Sequence, residues 1–316
     1  MTEPALIVAA LTPFTSSLKV DTKALRKQID YIVDDCKATT VVAAGVETQE
    51  YTYLSFDERK NLILSTIEAV DGRCGVMVGI SHPSYKTSIE LANFAKDNGA
   101  TAVQCLAPLR PFAGPPTQVD LVNYYQAIGK EIDLPITLYL NPGPGADVSI
   151  PDTIALAKLP CIELIKESSR DLARVSRLVA EIDIPGHAKY NTTMQMLFAT
   201  LMLGGSGVTM PPPGCEIARH IIDAFVAKDY ERAAKVQLDY ALFPSRWMHR
   251  GLAPAMKAAM DIIGIPSGVP YPPYQPLTDD EKKGLKEVLK NTVLGHRIGS
   301  GGGKKAKAKA KAKAKK

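Results

Sequence analysis

Short apolar, β-branched runs alternate with longer amphipathic segments from the start of the chain, and such alternation calls for parallel strands joined by crossover helices. Eight such runs are present: Ala5 to Leu11, Thr39 to Ala44, Gly75 to Ile80, Ala102 to Leu106, Ile136 to Leu140, Cys161 to Ile165, a weak one at His187 to Tyr190, and Gly207 to Met210. Eight in succession predict a closed (β/α)8 TIM barrel, which takes about 250 residues. The intervening stretches carry helix start signals. Asp21 precedes Thr22 to Cys36, Ser55 stands three residues before Glu58 as a capping box, and Ser84 precedes Tyr85 to Asn98. Further helices begin near Thr117, Pro151 and Arg170. After the eighth run the alternation stops: Glu216 to Ala227, Tyr230 to Leu242, Leu252 to Ile263 and Asp279 to Leu289 read as an all-helical C-terminal appendage, its first helix closing the barrel. The expected organisation is a barrel over 1–212, a helical region over 213–298 and a basic tail over 299–316.

The tail is Gly/Ser followed by a Lys-Ala repeat, with too little apolar surface to offset its ordering entropy, so a solvated, disordered segment is expected. It also sets the sign of the charge. The formal net charge is +5, yet Lys304 to Lys316 hold eight lysines and no acid, so the body stands at about −3. In that body Lys and Arg are interleaved with Asp and Glu, which excludes a specific nucleic-acid footprint. Five cysteines, odd in number, far apart and without a CxxC pair, argue against a disulfide framework and against zinc. The N-terminus has no basic stretch ahead of its short apolar run, and no run reaches membrane-span length. A soluble cytoplasmic protein without membrane partners is expected.

In a barrel of this kind chemistry gathers at the C-terminal ends of the strands. The sixth run ends Ile165-Lys166-Glu167-Ser168, which puts Lys166 at the mouth. Desolvation there favours the neutral amine that attacks a ketone, the usual way a Schiff-base lysine is made. By position alone the lysine equally fits a strand-end side chain that snorkels to water.

Other segments separate the two readings. Thr12-Pro13-Phe14, Glu50-Tyr51-Thr52-Tyr53-Leu54-Ser55-Phe56-Asp57-Glu58-Arg59, Tyr139-Leu140-Asn141-Pro142, Leu164 to Leu172 and Gly205-Ser206-Gly207-Val208-Thr209 occur in order from one end of the barrel to the other. Each is weak alone. Together they resemble the dihydrodipicolinate synthase and N-acetylneuraminate lyase superfamily, a likeness reaching from Leu6 to about Pro276. The resemblance implies a Schiff-base lyase acting on pyruvate or a related 2-oxo acid, with no cofactor beyond the covalent imine on Lys166 and no metal. It also implies a homotetramer built as a dimer of dimers. Lys166 would form the imine, Tyr139 would pass protons, and Thr48 with neighbouring N–H groups would hold the 2-oxo acid carboxylate. Gln49, Thr12, Tyr190 and Thr209 complete the expected substrate-binding set. The plain alternatives are a barrel-lining aromatic for Tyr139 and a turn hydroxyl for Thr48.

Departures from the family pattern bear on the substrate. Members usually read Gly-Thr-Thr-Gly-Glu where this chain has Val46-Glu47-Thr48-Gln49-Glu50. A glutamate thus replaces the threonine that relays protons to the strand-five tyrosine, so Glu47 either bonds Tyr139 as an acid/base or turns to solvent. Leu109 and Arg110 replace two tyrosines of the synthases, and Pro144 stands where they carry an arginine for the second substrate's carboxylate. These changes favour a neutral-tailed substrate, a 2-oxo-3-deoxy sugar acid for example, cleaved or dehydrated. The alternatives are 4-hydroxy-tetrahydrodipicolinate synthase activity and a non-catalytic 2-oxo acid binder. Tyr190 and Asn191, after the seventh run, and Met210, after the eighth, are candidates for the distal pocket, with packing the plainer reading for Met210. His82 lacks partners at ligand spacing, and the glycine-rich stretch from Gly204 lacks the Lys-Ser or Lys-Thr pair of a P-loop. Phe243, Trp247, Met248 and His249, in the appendage, read as packing a subunit interface or the barrel exterior and not as ligand-binding.

Overall fold

The computed structural model describes residues 3–108, 116–141 and 146–299. Eight parallel strands pair in chain order and close on themselves: β1 (Ala5–Ala9), β2 (Thr40–Ala43), β3 (Gly75–Gly79), β4 (Ala102–Leu106), β5 (Ile136–Leu140), β6 (Ile162–Glu167), β7 (Lys189–Thr192) and β8 (Gly207–Met210). The seam sets Gly207 opposite Ala5. A Cβ at Gly207 would lie 2.2 Å from the Ala5 carbonyl oxygen, so the closing strand needs glycine there.

Helices α1 (Thr22–Asp30), α2 (Phe56–Val70), α3 (Tyr85–Asp97), α4 (Gln118–Glu131), α5 (Ile150–Ala157), α6 (Leu172–Leu178) and α7 (Leu197–Met202) alternate with the strands. The appendage consists of α8 (Cys215–Val226), α9 (Tyr230–Gln237), α10 (Leu252–Ile262) and α11 (Asp279–Lys290), and α8 packs against β1. Start signals act as their chemistry requires. The Asp21 carboxylate accepts from the Lys23 and Ala24 N–H groups, and Ser55 and Glu58 form a reciprocal capping box. Thr117 and Asp120 form another. Ser84 precedes α3 without a side-chain cap bond.

Some boundaries differ from expectation. The first helix relaxes into a wider π turn over Tyr31–Asp35, and α6 does the same over Val179–Asp183. The short α7 was not expected. β6 runs through Lys166 and Glu167, and β7 lies later than the apolar run suggested, so Tyr190 and Asn191 are inside a strand and not after one. No helix among the described residues is long and apolar enough to cross a membrane. All five cysteines are free. Leu109, Arg110, Pro144 and the Lys-Ala tail lie outside the described residues.

Strand side chains alternate in direction. Ile7, Ala9, Val42 and Met77, with Ala5, Ala102 and Leu164 against them, form a small apolar cluster separate from the main core between strands and helices. Within β1 the intervening Leu6 and Val8 belong to that main core, so the small cluster is the barrel interior. Gln104 follows Ala102 by two residues and Lys166 follows Leu164 by two, so both face inward, one layer nearer the C-terminal mouth.

Candidate active site

Strand register brings Tyr139 and Lys166 side by side, since they are paired across β5 and β6. The Lys166 ammonium nitrogen lies 3.5 Å from the Tyr139 hydroxyl, 4.5 Å from its ring centroid and 2.6 Å from the Ser168 hydroxyl. Lys166 is 2% exposed. That burial pulls its pKa down to about 8, against the charges of Glu47 and Glu167, while Arg170 adds to the fall. A lysine with that pKa is roughly 10% neutral at pH 7, against about 0.03% for an ordinary one. The snorkelling alternative does not describe this side chain. Burial also pushes the Tyr139 phenol well above its usual range, helped by the Glu47 charge, with a Ser168 hydrogen bond working the other way. Tyr139 is therefore a protonated phenol whose oxygen accepts from the Lys166 nitrogen.

Glu47 comes from the loop after β2. Its Oε1 accepts from Gln104 Nε2 at 3.0 Å, and Gln104 Oε1 accepts from the Val46 N–H at 2.9 Å. Gln104 thus fixes both the loop and the carboxylate, a task the sequence did not reveal. Glu47 neither turns to solvent nor bonds Tyr139. Its Oε2 is buried and, among the described residues, has no hydrogen-bond partner. Burial raises the Glu47 pKa, moderated by Lys166. Thr48 donates to Glu50 Oε2 at 3.3 Å, and the same oxygen accepts the Thr12 N–H at 2.8 Å. Gln49 takes a left-handed conformation, φ 54°, where the family's usual glycine would be unstrained.

Val46, Glu47, Thr48, Gln49, Tyr53, Tyr139 and Asn141, together with Gly251 to Pro254 and Tyr274, line a cavity of about 180 Å³. A larger cavity of about 450 Å³ lies outside it, between Gln49, Tyr51, Arg59, His82 and Pro108, without Lys166 or Tyr139. His82 belongs to this second space, with Nδ1 accepting from the Ser84 N–H.

The remaining expected residues separate. Thr12 contributes backbone and not an open hydroxyl surface: it is 3% exposed, its N–H is bonded to Glu50 and its carbonyl to Lys257. Thr209 faces the interior and accepts from Asn191 Nδ2 at 3.2 Å. Tyr190 is displaced from its expected place. It points outward from β7, fully buried, and donates to Glu167 Oε2 at 2.8 Å, while Arg174 meets Glu167 Oε1 at 3.0 Å. One residue's parity explains the difference, because Lys166 inward makes Glu167 and its partner outward. Met210 packs against the Tyr240 hydroxyl. Among the described residues no group of three or more His, Cys, Asp or Glu is placed to hold a metal.

A buried lysine and tyrosine on adjacent strands of a (β/α)8 barrel narrow the comparison. Residues 4–292 match the dihydrodipicolinate synthetase family. The chain belongs to that family. Curated relatives of this dihydrodipicolinate synthetase family member include the 4-hydroxy-tetrahydrodipicolinate synthases of Bacillus velezensis, 30% identical over 294 residues, and Methanocaldococcus jannaschii, 29% identical over 297. The first alignment covers 89% of this chain and 96% of the relative, the second 90% and 97%. Among solved structures, YagE from E. coli K12, a prophage protein of the dihydrodipicolinic acid synthase family in complex with pyruvate, superposes with TM-score 0.83 at 22% identity, covering 92% of this chain and 98% of that one. N-acetylneuraminate lyase from Mycoplasma synoviae superposes with TM-score 0.79 at 24% identity over 92% and 98%. At these identities the structural likeness establishes the fold of the dihydrodipicolinate synthetase family.

Proposed function

We propose that this chain is a Schiff-base-forming lyase in which Lys166 forms an imine with pyruvate or a related 2-oxo acid, without another cofactor. The observation that carries this reading is the desolvated Lys166 amine with Tyr139 at 3.5 Å and Ser168 at 2.6 Å. The neutral amine attacks the ketone carbon, and the carbinolamine then loses its hydroxyl as water. Tyr139 supplies that proton from a phenol that burial keeps protonated. Glu47, its pKa raised, takes the proton that the Lys166 nitrogen sheds once its bond to the ketone carbon has formed. The backbone N–H groups beside Thr48 hold the substrate carboxylate together with the Thr48 hydroxyl, which turns to it from Glu50 Oε2, and Gln49 and Tyr53 border the distal part of the substrate. Within the same proposal the working form is a homotetramer.

Pyruvate plus borohydride should add mass irreversibly at Lys166, because reduction converts a reversible imine into a stable amine; peptide mapping of the labelled protein locates it. Labelling at another lysine, or none with any 2-oxo acid, would refute the Schiff base and leave the binding-only alternative.

For the substrate we favour a 2-oxo-3-deoxy sugar acid or another neutral-tailed 2-oxo acid. The unpartnered Glu47 Oε2 is an acceptor suited to a substrate hydroxyl, and a second carboxylate there would meet a like charge in a desolvated mouth. The second reading, 4-hydroxy-tetrahydrodipicolinate synthase, is favoured by the activity named for the curated relatives. Comparing kcat/KM for aspartate semialdehyde with pyruvate against a panel of 2-oxo-3-deoxy sugar acids separates the two. The sugar acids should be the better substrates, and a semialdehyde preference would overturn the reading of Glu47.

A further inference from the structure

Lys257 is a buried lysine that imine chemistry leaves unused. It lies on α10 among alanines and methionines and is 1% exposed. An ammonium has three donors. This one donates to two carbonyls, that of Thr12 after β1 at 2.5 Å and that of Ser267 after α10 at 3.0 Å, and forms an ion pair with Glu50 Oε1 at 3.1 Å. Glu50 is 2% exposed, and its other oxygen accepts from the Thr12 N–H and the Thr48 hydroxyl. Burial lowers the Lys257 pKa, with Glu50 opposing the fall.

Two segments that line the 180 Å³ cavity lead into the pair: the loop 46–49 is followed by Glu50, and Gly251 to Pro254, at the start of α10, run on to Lys257. We propose that Lys257 and Glu50 are positioning residues that hold these two segments in place relative to each other and set the direction of the Thr48 hydroxyl, and so govern the affinity for the 2-oxo acid carboxylate. The proposal rests on the reading of Thr48 given above. Stability alone is a weak reason for such a pair, since apolar groups of similar volume are often as stable or more so. A charge that joins three loop segments at a strand end instead removes freedom from the loop that meets substrate.

The test is the pyruvate concentration that half-saturates the initial rate of borohydride labelling at Lys166. In Lys257→Met it should rise about tenfold, with the limiting rate within about threefold of native, because a loop misplaced by a fraction of an ångström loses binding before chemistry. A merely structural role would reduce the amount of folded protein without moving half-saturation in what remains. An unchanged half-saturation in folded Lys257→Met overturns the proposal, whereas absence of labelling in the native protein overturns the imine reading instead. Should Lys257→Met fail to fold, Glu50→Gln keeps the volume while removing the counter-charge. Its half-saturation should rise at least about threefold, and an unchanged value would equally overturn the pair's role.

Discussion

Lys166→Ala should lose turnover by a factor on the order of 10⁴ or more and take up no mass from pyruvate and borohydride, because the variant lacks the amine on which the proposed imine forms. Stopped assays with the substrate that the native protein turns over fastest, run beside intact-mass spectra, give both readings at once. Residual turnover above about 1% would mean that the reaction does not run through this amine. The native pH profile follows from the same environment. With the Lys166 pKa lowered to about 8, the rate of imine formation should climb with pH through that value and then level off. Glu47 opposes this lowering through its charge. Neutralising it in Glu47→Gln should therefore move the midpoint to lower pH, and a midpoint that rises would contradict the placement of the two groups.

Tyr139→Phe should retain the fold and lose about 10²- to 10⁴-fold in turnover, the usual cost of removing a proton-transfer group. The ring is packed against Lys166 and would stay, so the comparison isolates the hydroxyl. Trapping of pyruvate should slow as well, since carbinolamine dehydration draws on the same proton. A loss under about threefold would leave the phenol as packing alone.

The barrel was legible because a strand buried on both faces is apolar along its length, and each of the eight runs contains residues of the strand it predicted. The exception is instructive. β7 was read too early because its inner face carries Asn191, and its last residue is Thr192. Polar groups lining a barrel interior look like a loop to a hydropathy reading. Lys166 stands out because it directly follows an apolar run, and Tyr139 because it is the one polar side chain near the end of another. Gln104 did not, although its two-residue spacing from Ala102 was a usable signal for an inward polar group. Lys257 offered only a lone charge in an Ala- and Met-rich helix, and its partners Thr12 and Glu50 are far away in the chain. Tyr190 was misjudged for a different reason. Which way a residue at a strand end points depends on register, and a shift of one position exchanges lumen for helix layer.

Consecutive residues of β6 look in opposite directions, Lys166 into the barrel and Glu167 into the helix layer, where Arg174 and Tyr190 grip its carboxylate. The backbone of the proposed nucleophile is thereby riveted to the scaffold from the helix layer. Adaptation to new substrates can then proceed through the loops after β2 and before α10 while the reacting amine stays at a fixed address. A chain organised in this way can exchange a threonine for Glu47 at the rim and keep its electrophile-capturing step, which is the kind of modularity that lets one barrel be retuned many times without being rebuilt.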